Sequence, residues 1–188
     1  MISASSPERQ SPKLLAVAAD GTIRHAARRE LPALLRRGDL VVANDAATLP
    51  ASLLGTHAAS GAPVELRLAA WNRLGDPTRF VAIAFGAGDH RTRTEDRPPP
   101  PPLRRGDRIS FGPLSAIVED VLSHPRLVAI RFDRAREDVW AGIARHGRPI
   151  QYAHVPEPLQ LWDVWTAIAV RPVAFEAPSA HSFSASSE

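Results

Sequence analysis

The sequence predicts a mixed α+β protein in which a small β-barrel or β-sandwich lies between two segments of different character. From residue 51 to residue 132, short apolar runs alternate with glycine- and proline-containing turns, a pattern typical of small all-β folds. Before them, the apolar run over residues 39–44 favours a strand that is buried on both faces. After them, the apolar spacing predicts helices over residues 133–146 and 158–168.

The first part of the chain predicts a hairpin and a short helix. Residues 13–18 and 22–26 flank Asp20-Gly21, a dipeptide typical of tight hairpin turns. Residues 30–36 favour a short helix with a proline in its first turn, and Gly38 can end it.

The strand predicted over residues 39–44 leads directly into Asn44 and Asp45. Polar groups at the carboxyl end of a buried strand are where α/β proteins commonly hold ligands. An Asx turn that simply ends the strand accounts for the same residues equally well.

Six strands are predicted for the central region. They cover residues 51–56, 64–70, 79–85, 108–111, 115–121 and 127–132. Residues 64–68 alternate between apolar and charged side chains, which predicts one face in water. The five prolines at 98–102 favour a stiff polyproline connector on the surface. The phrase Arg-Arg-Gly-Asp occurs at 36–39 and at 104–107 in different surroundings, which indicates a repeated turn before a strand rather than an internal duplication.

Two helices are predicted after the strands. Asp133 can cap the first, and Gly147 can end it after His146. The second would begin near Pro158 and carry an apolar stripe of Leu159, Trp162, Trp165 and Ile168. Such a stripe more often packs in a core than stacks on a base.

Composition limits the functions that are open to the chain. Its 188 residues fit one domain or two small ones, and the absence of cysteine excludes disulfides, thiolate metal sites and a cysteine nucleophile. No apolar run is long enough to span a membrane and no secretory signal begins the sequence, so a cytoplasmic protein is expected. The seven histidines show no metal-ligand spacing. A net charge of +3, carried almost entirely by arginine, permits an anionic partner without requiring one.

Several phrases, taken in order, carry a family resemblance. They are Pro7-Glu8-Arg9 with Lys13-Leu14-Leu15, the stretch from Gly38 through Asn44 and Pro50-Ala51 to Gly55, Gly147-Arg148-Pro149-Ile150, and Glu176-Ala177-Pro178-Ser179-Ala180. Together they resemble the queuosine-pathway S-adenosylmethionine:tRNA ribosyltransferase-isomerase family.

The resemblance implies a fold and an activity. The fold would be a partial α/β domain with an inserted small β-barrel domain: residues 1–50 would begin the α/β domain, 51–133 would form the barrel, and 134–188 would return to the α/β domain and end in a serine-rich tail. The family transfers the ribosyl part of S-adenosylmethionine to 7-aminomethyl-7-deazaguanine at the tRNA wobble position, giving epoxyqueuosine. The implied partners are therefore tRNA and S-adenosylmethionine as co-substrate, with no metal and no membrane. A second polypeptide or self-association would cover the incomplete domain.

The resemblance also suggests site residues. Asn44 and Asp45 stand at the family's Asn-Asn, and Pro178 and Ser179 at its Pro-Thr, so these residues are expected to line the donor or base pocket. Asp45 and Glu176 are the candidates for charge pairing or proton transfer, and which of them is the base stays open.

Arginines mark both the expected RNA contacts and the departures from the family. Arg104 and Arg105 are assigned to RNA binding. Ala47 and Ser52 stand where the family has arginine, so two cations that would meet phosphate or carboxylate are missing.

The alternative is a function of a different class from an enzyme. The chain would then be a non-catalytic, arginine-bearing β-barrel module that binds RNA or a protein partner.

Overall fold

A computed structural model describes residues 13–42, 45–73, 76–161, 164–165 and 169–176. The strands are β1 (Lys13–Val17), β2 (Ile23–Ala27), β3 (Ala46–Thr48), β4 (Ser52–His57), β5 (Pro63–Trp71), β6 (Arg79–Phe85), β7 (Arg108–Phe111), β8 (Leu114–Val121), β9 (Leu127–Phe132), β10 (Gly147–Arg148) and β11 (Arg171–Ala174). The α-helices are α1 (Leu31–Leu34) and α2 (Arg136–His146), and short 3₁₀ turns cover Arg28–Glu30 and Thr94–Asp96. No helix among these residues is long and apolar enough to cross a membrane.

The central strands form a closed antiparallel barrel. The hydrogen-bonded order is β10-β4-β5-β6-β9-β8-β7, and β7 pairs back with β4 through Thr56 opposite Ser110 and His57 opposite Ile109. Closure removes the free edges that an open sheet would present. The mixed α+β class and the barrel predicted from the sequence are thus confirmed, and each predicted barrel strand lies within a residue of its observed bounds.

The core fills the barrel with the inward side chains of its strands. Helix α2 covers part of it with Val139 and Ile143, which are buried against Leu114 and its neighbours. An aromatic cluster joins the barrel to the end of β11, since Phe80 lies 4.8 Å from the ring of Trp71 and 6.2 Å from that of Phe175. This cluster fixes where the chain leaves β11 relative to the barrel.

Gly55 is the residue that lets β4 and β7 close the barrel. A Cβ atom at this position would lie 2.3 Å from the carbonyl oxygen of Ser110 and 2.5 Å from a ring carbon of Phe111. We expect Gly55→Ala to lower the free energy of unfolding by about 1–3 kcal/mol, because backbone and a packed ring must both move. Urea unfolding checks this, with exposed Thr56→Val on the same strand as the control, expected to change stability by less than about 0.5 kcal/mol. Equal stability of Gly55→Ala and the parent chain would contradict the tight closure.

The hairpin predicted near the beginning of the chain is confirmed. Strands β1 and β2 pair antiparallel, from Lys13 opposite Ala27 to Val17 opposite Ile23. The Asp20 side chain accepts a hydrogen bond from the Thr22 backbone at 2.9 Å, and Gly21 adopts a φ of +83°. The turn dipeptide therefore works as the pattern indicated.

The prediction of a buried strand over residues 39–44 is wrong for residues 39–42, the part of that run that the structure describes. Residues 39–42 form no strand, and Leu40, Val41 and Val42 are 88%, 60% and 85% exposed. The strand starts later, as β3, and its one partner among the described residues is β11 in parallel. An apolar run predicts burial only if neighbouring strands cover it, and none of the described strands pairs with residues 39–42.

Helix boundaries also differ from the sequence expectations. The helix predicted over residues 30–36 is a 3₁₀ turn followed by the four residues of α1. Asp133 does not cap α2, because the helix begins at Arg136 after Ala135. The Asp133 carboxylate instead accepts a hydrogen bond from Arg108 at 3.0 Å. The ion pair with Arg108 therefore takes the place of the predicted cap. Gly147 follows the helix as predicted.

The second predicted helix is not found among the described residues of its span. Residues 158–161 and 164–165 contain no α-helix, while Trp162 and Ile168 lie outside the described residues. Trp165 is partly exposed and donates its indole N–H to the Thr48 carbonyl at 2.9 Å. Trp165 therefore contacts β3 and does not lie in a helix.

Candidate functional site

The parallel pair of β3 and β11 positions the candidate site. Arg171 lies opposite Ala46 and Ala174 opposite Thr48, and the Leu49 backbone donates to the Ala174 carbonyl at 2.7 Å. Residues after Ala174 therefore leave the carboxyl end of β11 beside the point where the chain enters the barrel. Carboxyl ends of parallel strands are the usual place for ligand sites in α/β sheets.

Glu176 lies at this end and is held on both sides. Its neighbour Phe175 packs between Trp71 at 5.5 Å and Phe80, which anchors the segment on the barrel core. The Glu176 side chain is exposed and accepts a hydrogen bond from the Tyr152 hydroxyl at 2.6 Å. A carboxylate that reaches solvent while one oxygen is fixed can accept a proton or attract a cation from a defined direction.

Tyr152 is itself placed by its neighbours. The Arg67 guanidinium lies 5.8 Å from its ring centroid, and the His154 ring stacks on it at 6.2 Å with an interplanar angle of 7°. Burial, then the hydrogen bond to Glu176 and its charge, raise the pKa of Tyr152 to about 12. The phenol therefore stays protonated at neutral pH and acts as a donor. The stability it contributes is present below its ordinary pKa of 10 and is lost as pH rises through about 12.

Behind Tyr152 lies a buried charge cluster, which we define as Ser52, Glu65, Arg67 and Arg97. Glu65 accepts hydrogen bonds from Ser52 Oγ at 2.8 Å, from Arg67 Nε at 2.7 Å and from Arg97 Nη1. Burial by itself raises the pKa of Glu65, but the hydrogen bond and charge of Arg67, followed by the hydrogen bonds from Arg97 and Ser52, leave that pKa below its usual value. The cluster carries a net positive charge directly behind the site.

This cluster corrects the prediction that residues 64–68 keep one face in water. Glu65 is only 4% exposed and Arg67 only 5%. The face is covered because Arg97, 2% exposed, donates to the carbonyls of Gly86 at 3.0 Å, Gly88 at 3.1 Å and Asp89 at 3.2 Å and so holds the loop before it against the barrel. The sequence did carry a signal that Glu65 and Arg67 pair with each other. They have opposite charges and lie two residues apart, which places them on the same face of one strand.

Two spaces lie near the cluster. A cavity of about 40 Å³ is bounded by Ser52, Glu65, His90, Arg148 and Gln151 among others, and it holds little more than a water molecule. A wider groove of about 390 Å³ runs over Phe85, Arg126 and Leu127 on the barrel surface. The smaller space cannot hold a nucleoside, and Glu176 is in the lining of neither space.

Asp45 lies away from Glu176, at the other end of the same strand pair. Its backbone carbonyl accepts from Val170 at 2.8 Å and Arg171 at 3.1 Å, and its carboxylate lies 3.0 Å from Arg171 Nε. Both side chains of this ion pair are substantially exposed. The premise that Asp45 ends a strand is therefore wrong, because β3 begins after it, and the structure does not bring the two candidate carboxylates together.

The remaining predicted residues are placed only in part. Asn44, Pro178 and Ser179 lie outside the described residues. Arg104 and Arg105 are exposed in the turn before β7. No group of three or more metal-ligating side chains occurs in the part of the chain that the structure describes.

Comparisons with known proteins identify a family and several relatives. A family model described as "Queuosine biosynthesis protein" matches residues 2–184. Proteins named S-adenosylmethionine:tRNA ribosyltransferase-isomerase are similar to this chain: that of Anaeromyxobacter dehalogenans is 33% identical over 74% of this chain and 36% of its own length. Those of Methylobacterium radiotolerans and Thermosynechococcus vestitus are 31% and 32% identical over 81% and 80% of this chain, and 40% and 39% of their own lengths.

The family model therefore matches nearly the whole of this chain. The chain spans about two fifths of the length of the relatives. The matched residues include the barrel, the β3–β11 pair and the Glu176 segment. We conclude that the chain belongs to the queuosine biosynthesis protein family.

Proposed function

We propose that this chain takes part in transferring the ribosyl moiety of S-adenosylmethionine to 7-aminomethyl-7-deazaguanine at the tRNA wobble position, which gives epoxyqueuosine and releases adenine and methionine. The names of the relatives support this activity. The observation that carries the proposal is the carboxylate of Glu176, fixed by Tyr152 at the carboxyl end of β11.

The chemistry requires a base and a site for a cation. The donor carries a sulfonium charge, and a proton must leave the carbon beside it before methionine departs. An exposed carboxylate meets both needs, because it attracts the sulfonium and can accept that proton. We assign this role to Glu176, with Tyr152 as the residue that orients it.

Asp45 receives a different role in this proposal. Its carboxylate is engaged by Arg171 at the opposite end of the strand pair, so we assign it to charge pairing rather than to proton transfer. Asn44, Pro178 and Ser179 are proposed to line the donor pocket, and Arg104 and Arg105 to contact RNA.

We propose that the chain is a cytoplasmic protein that works on tRNA without a metal. We also propose three segments, in which residues 51–133 form a barrel domain inserted between residues 1–50 and 134–188. A second polypeptide, or a second copy, would complete the part of the fold around β3 and β11.

The test is an assay for adenine release from S-adenosylmethionine, with and without tRNA carrying 7-aminomethyl-7-deazaguanine. The Anaeromyxobacter dehalogenans relative, assayed in parallel, shows that the substrates are competent. The proposal expects adenine release that depends on the modified tRNA. Salt-sensitive tRNA binding without any adenine release would instead favour the non-catalytic β-barrel module.

A further inference from the structure

The repeated phrase Arg-Arg-Gly-Asp forms the same turn twice, at residues 36–39 and 104–107. In each turn the aspartate backbone donates to the carbonyl of the first arginine at 3.0 Å. In each, the aspartate carboxylate accepts the backbone N–H of the first arginine at 2.7 Å. The glycines have φ values of +99° and +94°, and no atom within 4 Å would meet a Cβ there, so glycine serves the turn conformation rather than close packing.

Both turns present two arginine side chains to solvent. Arg36, Arg37, Arg104 and Arg105 are all exposed, and their side chains form no ion pair with another described residue. Some other exposed arginines are ion-paired, since Arg91 pairs with Asp89 and Arg93 with Glu95, whereas Arg145 and Arg148 are exposed without an ion pair to a described residue. The four turn guanidiniums thus keep their donor groups available to a ligand.

The second turn is also tied to the barrel. His57 is 5% exposed, and its Nε2 atom lies 3.2 Å from the Asp107 carboxylate. Its Nδ1 atom lies 2.8 Å from the Ser60 hydroxyl in the β4–β5 turn. Arg104 and Arg105 therefore project from a turn that is held in place before any ligand binds.

We propose that the two turns are equivalent phosphate-binding elements, and that Arg36 and Arg37 contact the RNA backbone in addition to Arg104 and Arg105. This inference rests on the proposed tRNA substrate. Guanidinium groups suit phosphate because they donate in a bidentate fork. With a net charge of only +3, the chain has to concentrate its attraction for RNA where arginines are not neutralised by neighbours.

The test measures the affinity for a tRNA transcript, without S-adenosylmethionine, between roughly 50 and 200 mM salt. The variants are the double substitutions Arg36→Ala/Arg37→Ala and Arg104→Ala/Arg105→Ala. Each is expected to reduce the steepness of log K against log salt by about 1 to 2, because each lost phosphate contact removes about one unit.

The matched control is Arg91→Ala/Arg93→Ala, which removes two arginines that already pair with acidic residues. It is expected to change the slope by clearly less than the turn variants. An unchanged slope in either turn variant, or an equal change in the control, would overturn the inference. Thermal unfolding midpoints confirm that each variant is folded.

The same protein samples separate this inference from the proposed function. If the slopes change as expected but no adenine is released, only the proposed activity fails. If adenine is released and the slopes of the turn variants match that of the parent chain, only the phosphate-binding role of the turns fails.

Discussion

Replacing Glu176 with glutamine is expected to lower the rate of tRNA-dependent adenine release by about 10²- to 10⁴-fold, the usual contribution of a positioned general base. Glutamine keeps the size of the side chain and can still accept the Tyr152 hydrogen bond, so the segment should stay in place. What it loses is the negative charge and the ability to accept a proton. Single-turnover measurements with saturating tRNA would report this loss on the chemical step.

The control for this variant is Glu157→Gln, the same substitution at an exposed position. In the described structure Glu157 contributes its backbone carbonyl to Gln151, a contact that the substitution leaves intact. Its rate is expected to match that of the parent chain. A Glu176→Gln protein with full activity would remove this residue from proton transfer and return the question to Asp45.

Tyr152→Phe tests whether the hydroxyl positions Glu176. A hydrogen bond to a charged group contributes about 1.5–3 kcal/mol, so we expect a loss of roughly 10- to 100-fold in rate, smaller than for Glu176→Gln. A rate equal to that of the parent chain would show that the hydroxyl does not position Glu176.

The barrel could be predicted from the sequence because its strands are bounded locally. Turn glycines such as Gly61 and Gly106, both with positive φ, separate runs whose apolar residues point into one core. The contact that closes the barrel could not be predicted, since it joins Thr56 to Ser110 across most of the barrel sequence. Spacing along the chain describes individual strands, whereas closure depends on which distant strands meet.

The same distinction explains the errors at the candidate site. Residues 64–68 alternate like a strand with one wet face, but Arg97, far along the chain, buries that face by pairing with Glu65. The family resemblance identified the Glu176 segment, but it could not show that Tyr152 reaches it. The apolar run over residues 39–44 placed Asp45 at the end of a strand, while the structure places it before β3 and beside Arg171.

The buried charge cluster carries the second large expected effect. We expect Arg97→Met to lower the free energy of unfolding by about 3–5 kcal/mol, the usual result of removing one partner from a buried ion pair. Methionine fills much of the same volume, so the loss reflects unpaired polar groups rather than a cavity. The groups left without their donor are one carboxylate oxygen of Glu65 and the carbonyls of Gly86, Gly88 and Asp89. Urea unfolding measures the change.

The control is Arg91→Met, which breaks an exposed ion pair with Asp89 and should cost less than about 1 kcal/mol. Combining Arg97→Met with Glu65→Gln distinguishes lost pairing from general disruption. If the unpaired charge is the main cost, the double variant should lose less stability than the sum of the two single variants, by about 0.5–3 kcal/mol. Strict additivity would show that the two residues act independently.

The pH dependence of stability follows from the same cluster. The pKa of Glu65 is lowered in the folded protein, so its contribution is fully present above its ordinary pKa of 4.5 and is lost as pH falls through the lower folded value. Below pH 4.5, the free energy of unfolding should therefore decrease more steeply with falling pH for the parent chain than for Glu65→Gln. Because Arg67 and Tyr152 connect this cluster to Glu176, acid that loosens the cluster should also disturb the candidate site before the barrel unfolds. Tyrosine fluorescence cannot report this disturbance, because the chain has four tryptophans. Hydrogen exchange of the backbone amides around Tyr152 can report it. As the pH is lowered, these amides should lose their protection from exchange at a higher pH than the amides of β8 and β9 do.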